Sequence, residues 1–415
     1  MTLKLVMVTF SLLLFLSLTS STSGRRELLA DGGEFDVTNA KYGAKPNSDI
    51  TEALANAWKD ACASTSASKV IVPKGTFKVK EASFKGPCKA PIEVQVQGTL
   101  QAPEDASQLS KQDTWIEFLY LNDFTLSGGG TFDGQGQKTW KAIDPKNAKA
   151  GTINIRFHAV KKSLVKDITS LNSKNFHINV ISCEQLTFDH VTVTAPGDSP
   201  NTDGIHIARS TGVNVTDTNI GTGDDCISIG DGTKQLTITK VTCGPGHGIS
   251  VGSLGRYDKE DPVEGINVKN CTLSKTTNGV RIKTWAKNPQ ASTCSEIHFE
   301  DIIMNDVQNP IVVDQEYCPW NQCDKQASSK IKISNVSFKN IRGTTSTPLG
   351  VKIVCAKGLP CEKVEMTGID LKFTGTGALT SQCTNVKPTI ANVAQPLACA
   401  TDAPVPAGPA EKSND

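Results

Sequence analysis

Three aspartates, a histidine, an arginine and a lysine stand at spacings that could gather them on one face. Between Asn201 and Gly255 the chain reads NTDGIHI, GDDCISIG and GPGHGISVGSLG. Aligned on Ile205-His206-Ile207, Ile227-Ser228-Ile229 and Ile249-Ser250-Val251, the apolar cores begin at 205, 227 and 249, a step of 22 residues each time. Two residues before each core is a group that bears charge or moves protons: Asp203, Asp225 and His247. Stacked coils would set these on successive rungs about 5 Å apart, with Asp224 beside the middle rung. Arg281 occupies the position equivalent to His206, Ser228 and Ser250, and Lys283 follows on the same side of its strand. Carboxylates this close cannot all ionise freely, so repulsion should raise at least one pKa. A protonated acid beside ionised ones suits glycosidic hydrolysis, which needs an acid for the leaving oxygen and a base for water. The cations favour an anionic substrate, since a guanidinium can grip a carboxylate through two hydrogen bonds. An acidic sugar follows as the expected ligand class.

The elements that must hold such a ladder are the short parallel strands of a β-solenoid. Equivalent cores continue at Ile178-Asn179-Val180, Val280-Arg281-Ile282, Ile311-Val312-Val313 and Val351-Lys352-Ile353. A second series, Leu186, Val213, Leu236, Ile266, Ile297 and Ile331, marks another strand in each coil. Two strand families in step predict an all-β, single-domain, right-handed parallel β-helix. Shorter strands are read at Phe35 to Val37, Val70 to Val72, Ile92 to Val96, Phe118 to Leu121 and Phe124 to Leu126. The glycines at 128 to 130, 134 and 136 read as tight turns; no helix pattern follows them, which removes a phosphate-cradling loop. A solenoid also needs its open end covered. The stretch DITEALANAWKDAC supplies an N-terminal capping α-helix, with Asp49 as N-cap, Glu52 completing a capping box, and Leu54, Trp58 and Ala61 to Cys62 on one face. Strand parity would bury Asp203, Asp225 and His247 with the anchoring isoleucines, at high cost for charges. The flanking glycines at 221, 223, 244 and 246 argue that the chain turns there, so the aspartates are expected at a coil corner, facing solvent.

The remaining features describe compartment and class. Lys4, the apolar run Leu12 to Leu16 and the small residues Ser20 to Gly24 read as a secretory signal peptide over residues 1–24. Residues 25–400 are then the catalytic domain, beginning in a polar lead-in, and the Pro- and Ala-rich 401–415 a flexible tail. No later stretch is long and apolar enough to span a bilayer. A formal net charge of +1 argues against a simple nucleic-acid binder. Thirteen cysteines in a secreted chain imply several disulfides and at least one cysteine without an intramolecular partner. Close spacing suggests Cys226 with Cys243, Cys355 with Cys361 and Cys383 with Cys399, then Cys62 with Cys88 and Cys318 with Cys323; Cys183, Cys271 and Cys294 have no evident partner. N-glycosylation sequons stand at Asn214, Asn270 and Asn335.

NTDGIHI, GDDCISIG, GHGISVGSLG and RIK, in this order and spacing, resemble the four motifs of the polygalacturonases, glycoside hydrolases of pectin. The likeness extends over nearly the whole mature chain, from FDVTNAKYGAKPNSD through the capping helix. The N-terminal region and QEYCPWNQC look most like the plant pollen-type, exo-acting subgroup. The resemblance implies Asp224 as general acid, Asp203 and Asp225 as activators of the attacking water, and His247 as support for the acid's proton state. It further implies Arg281 and Lys283 as holders of the substrate carboxylate, with Tyr317 touching substrate. The polygalacturonases invert the anomeric centre, whereas rungs about 5 Å apart are closer to the separation of retaining enzymes. The resemblance is followed here, and it implies a cell-wall enzyme acting on homogalacturonan without metal or cofactor. With the signal peptide it is expected to be secreted, and a monomer is expected because an uncapped groove facing solvent suits a polymer substrate and nothing marks a dimer face.

Taken singly, an Asp in N-T-D-G or G-D-D is a turn former, and only coincidence on one rung position lifts these residues above that. His206 reads as a packed or solvated side chain, and His158, His177, His190 and His298 as structural. Asp-rich solenoid turns can hold Ca²⁺, but an imidazole and two cations on the same face argue against it. Three rival classes remain. A pectate lyase would leave an unsaturated product, a hydrolase of substituted galacturonan would keep the aspartates, and a wall-binding glycoprotein would not need Asp224.

Overall fold

The computed structural model describes residues 33–109, 113–142, 151–319, 323, 327–395, 397 and 399. The signal segment, most of the lead-in and the C-terminal tail read from the sequence lie outside the described residues.

Each turn of the chain contributes strands to parallel stacks, and the apolar side chains between the stacks form one continuous core. The protein is a right-handed parallel β-helix. Eleven strands make the sheet that carries the site, from Ala82–Lys85 at one end to Thr380–Thr384 at the other. In it Ile178 pairs with Ile205, Ile205 with Ile227, Ile227 with Ile249, Ile249 with Val280, Val280 with Ile311 and Ile311 with Val351. Every core read from the sequence is therefore a rung of one ladder. Coil length is free to vary between 22 and 40 residues because the turns absorb the difference while the strands keep register.

The second series holds with one correction. Leu236, Ile266 and Ile297 are in register, but Ile297 pairs with Val336, and Ile331 faces Ser292 five residues earlier. Here the strands Ser292–Val307 and Ile331–Thr345 run long and span two stacks, so the first apolar residue of the strand is not the rung.

The helix Thr51–Ala63 buries Ala53, Leu54, Ala57, Trp58 and Ala61. It packs on Glu34–Asp36, Ser68–Val72 and Ala82–Lys85, covering the first coil, with Trp58 edge-on to Phe84 at 5.1 Å. Its cap differs from the sequence reading by one residue: Ile50 is the cap position, and Asp49 accepts from Thr51 N at 3.0 Å and Thr51 Oγ1 at 2.6 Å. Lys80 N in turn bonds Thr51 Oγ1, which draws Thr51 toward the next turn of chain. Five disulfides join Cys62–Cys88, Cys226–Cys243, Cys318–Cys323, Cys355–Cys361 and Cys383–Cys399. Cys183, Cys271 and Cys294 are free thiols inside the core, with pKa values pushed up by burial to about 11, 11 and 12. Neutral and enclosed, they behave as small apolar side chains.

Candidate active site

The turns that enter strands Ile205–Ala208, Ile227–Ile229 and Ile249–Leu254 lie one above another. Gly204 N bonds Asp225 O and Cys226 N bonds Gly248 O, both at 2.8 Å, so the parallel ladder already runs through these turns. Asp203, Asp225 and His247 are thereby stacked on consecutive rungs. Glycine is needed beside them because a side chain at Gly223 would strike the carbonyl of Ser199, and one at Gly248, where φ is +90°, the carbonyl of Asn278. Thr202 Oγ1 accepts from Gly223 N at 2.9 Å and pins the Asp203 turn to the next coil.

Asp203 and Asp225 do not face solvent as the sequence reading expected. They are only 6% and 1% exposed, while Asp224 and His247 are half-buried and form the open side of the cluster. Burial of Asp225 is tolerated because two cations meet it. Arg281 Nη2 reaches Oδ1 and Lys283 Nζ reaches Oδ2, each at 2.9 Å, and Ser250 Oγ donates to Oδ1 at 2.8 Å. Arg281 Nε also donates to Ser250 Oγ at 3.0 Å, closing a network around one carboxylate. Arg281 and Lys283 arrive on Asn278–Trp285 with the outward parity expected of them, and are themselves buried in this wall.

The electrostatics divide the carboxylates. Burial would raise Asp225, but Lys283, Arg281 and His247 outweigh it and hold its pKa at about 2. Asp203 is pushed well above the ordinary carboxylate range by burial, then by the charges of Asp224 and Asp225, with the Ser228 hydroxyl and Lys283 opposing. For Lys283, burial and the Arg281 charge press downward, and Asp225 and its other anionic neighbours more than restore it. Asp224 is tied differently: its Oδ1 accepts from Asp225 N at 2.7 Å and lies 3.0 Å from His247 Nδ1. Its carboxyl is thus oriented by a backbone amide and an imidazole at the mouth of the cluster.

Ligand atoms of Asp224, Asp225 and His247 lie within 4.8 Å of one another, close enough to surround a small cation. Asp225 is already satisfied by an ammonium and a guanidinium, however, and a hard divalent ion prefers an all-oxygen shell. The donor set fits a proton-handling site better than a metal site. Tyr317 closes one flank, with Lys283 Nζ 5.4 Å from its ring centroid and Trp285 edge-on at 5.6 Å.

Sequence reasoning set His206 aside, yet His206 Nδ1 lies 2.8 Å from Ser228 Oγ, and its ring packs 5.1 Å from Phe176. Burial lowers its pKa to about 4, so it is a neutral partner at the floor of the site. Its place in register with Ser228, Ser250 and Arg281 was the available signal. Ser228 and Ser250 were seen only as markers of that register; in the structure they are polar contacts of His206 and Asp225. His177 is sealed in the core, bonded to Ser170 and lowered by burial to about 3, and takes no part.

The sequence model of Glycosyl hydrolases family 28 matches residues 62–399, which spans the whole ladder and the site. The chain belongs to that family. It is therefore a glycosidase. A protein called polygalacturonase from Medicago sativa is 53% identical over 382 residues, covering 90% of each chain. An exopolygalacturonase from Platanus acerifolia is 50% identical over 381 residues, covering 90% of this chain and all of that one. The fold matches the crystal structure of an endo-xylogalacturonan hydrolase from Aspergillus tubingensis with a TM-score of 0.75 at 21% identity, covering 85% of this chain and 96% of that one. The resemblance drawn from four short motifs thus extends along the family 28 chain.

Proposed function

We propose that this family 28 glycosidase hydrolyses α-1,4-galacturonosyl bonds of pectin, attacking chain ends and releasing galacturonate. The observation that carries the reading is the wall of Arg281 and Lys283 beside a half-exposed Asp224: two cations able to take a sugar carboxylate next to an acid able to protonate the glycosidic oxygen. Lys283 has three donors and gives one to Asp225, so it can engage a substrate carboxylate without abandoning its partner.

In the proposed mechanism Asp224 gives its proton to the leaving oxygen, and His247, with Nδ1 3.0 Å from Oδ1, holds and orients that carboxyl. Asp225, held ionised by its cations, and Asp203 orient and deprotonate the attacking water. As water adds, its proton passes to the ionised member of the Asp203–Asp225 pair; the raised proton affinity of Asp203 makes it the stronger base only while it is ionised. Tyr317 closes over the sugar beside Lys283. The inverting outcome rests on the resemblance; the separation of under 4.8 Å between Asp224 and Asp225 oxygens is nearer the retaining range of about 5–5.5 Å. Proton NMR of the first-formed anomer decides between them.

The exo mode draws on the exopolygalacturonases among the relatives. We further propose residues 1–24 as a signal peptide, 25–400 as one catalytic domain, and a monomer secreted to the cell wall, loosening it in pollen. No helix among the described residues is long and apolar enough to cross a membrane. Asn214 and Asn270 are exposed and Asn335 is half-buried, bonded to Glu296, so glycans are proposed first at Asn214 and Asn270. Product analysis on polygalacturonic acid in EDTA, with a parallel run in added Ca²⁺ that keeps a lyase visible, tests the reading. Monomer from the outset without unsaturated product is the expected result; mixed oligomers would make the enzyme endo-acting, and an unsaturated end would overturn hydrolysis.

A further inference from the structure

Beyond the carboxylate wall at Asp225 the same sheet carries a second basic feature that the proposed mechanism does not use. Leu254 pairs with Thr284, which sets Gly255-Arg256-Tyr257 beside the end of the strand that bears Arg281 and Lys283. A cavity of about 540 Å³ opens there, lined by Arg256, Tyr257, Lys287 and Lys330, with Asp258 the carboxylate among the described lining residues. Its walls are fixed. The buried Asn288 donates to Gly255 O at 2.9 Å and Trp285 O at 3.0 Å, and its Oδ1 accepts from Ser329 Oγ at 2.9 Å and from Lys330 N. One side-chain amide thus joins the three segments that supply the cations. Glu260 holds the loop closed by accepting from Tyr257 N at 2.8 Å and from Gly255 N.

A chain of aromatic contacts links the wall of this cavity to the Asp225 cluster. Lys283 lies over Tyr317, Tyr317 meets Trp285, and Arg256 Cζ lies 5.2 Å over the Trp285 ring and 5.3 Å over that of Tyr257. Tyr257 is 64% exposed, offering an apolar ring face next to a guanidinium. That pairing suits a sugar acid, with the pyranose face on the ring and the carboxylate on the fork.

We propose that Arg256 and Lys330 form a secondary subsite for the carboxylate of another sugar unit of the same bound chain, so that the enzyme reads charge at a distance from the bond it cuts. The proposal rests on the pectin reading. Its test uses the full-length protein with Arg256→Ala, Lys330→Ala, the double variant and Arg256→Lys, assayed on a galacturonate hexamer at two salt concentrations. KM should rise about tenfold in the double variant with kcat within about twofold, because the interaction is present in ground and transition states alike. Arg256→Lys should recover part of the affinity, and the salt dependence of KM should flatten in the double variant. Unfolding midpoints matching the wild type keep these effects local. Wild-type cleavage with an unchanged KM in the double variant overturns the subsite alone; no wild-type cleavage overturns the subsite together with the pectin reading.

Discussion

The two faces of the site-bearing sheet share one backbone and differ in what they tolerate. Inward, the rungs read Phe84, Phe118, Phe157, Val180, Ile207, Ile229, Val251, Ile282, Val313 and Ile353, apolar at every step and at most 2% exposed. Phe118 stacks on Phe84 at 4.8 Å and on Phe157 at 5.1 Å. Outward, one residue earlier along each strand, they read Ser83, Glu117, Arg156, Asn179, His206, Ser228, Ser250, Arg281, Val312 and Lys352. The inner face has one requirement, filled volume, and repeats itself. The outer face has none imposed by the core, so each rung can carry a different chemical group. The proposed catalytic groups lie in the stretch where those side chains converge on the buried Asp225.

Substitutions on the two faces should therefore separate activity from stability. The largest effect belongs to Asp224→Asn: loss of the acid should lower kcat by about 10²–10⁴-fold while thermal unfolding stays at the wild-type midpoint. A parallel fall in both would place Asp224 among the structural residues. Phe118→Ala should do the reverse, costing about 3–5 kcal/mol in denaturant unfolding with kcat retained in the folded fraction. Acid titration of stability gives a smaller effect of definite sign. Asp225 is depressed to about 2, so its stabilisation is present above its unfolded pKa near 4 and is lost as pH falls toward 2. Asp203, raised in the folded state, acts oppositely: stability falls as pH rises from near 4 through its folded pKa. Below pH 4, then, unfolding followed against pH should show about 2 kcal/mol of acid loss that disappears in Asp225→Asn. The smallest effect is on another stack, where exposed pairs such as Lys339 with Glu365 at 3.1 Å should yield under about 1 kcal/mol on Lys339→Ala.

The repetitive part of this comparison was legible in the sequence and the convergent part only partly so. Anchors 22 residues apart specify a ladder because strand register is a local consequence of apolar alternation and turn length. The Asp203, Asp225, His247 stack followed from the same arithmetic, as did the outward direction of Arg281 and Lys283. What did not follow was depth. Asp225 is buried because Arg281 and Lys283, 56 and 58 residues further on, close over it, and no nearby spacing encodes that approach. The flanking glycines suggested exposed corners; in fact they let neighbouring turns pack tightly against carbonyls. Ile331 was misplaced for a related reason, since a strand that spans two stacks hides which of its apolar residues is the rung. The cavity at Arg256 left no trace, because 256, 287 and 330 follow no common period.

The central claim is that the outer row handles a sugar that bears a carboxylate. It is tested most directly by comparing initial rates of the wild-type enzyme on oligogalacturonates and on the same oligomers with their carboxyl groups reduced to alcohols. With Arg281 and Lys283 gripping a charge in a buried wall, kcat/KM should fall on reduction by about two orders of magnitude, the worth of a charge-assisted pair. Equal rates on the two substrates would contradict the account, leaving the cations as partners of Asp225 alone.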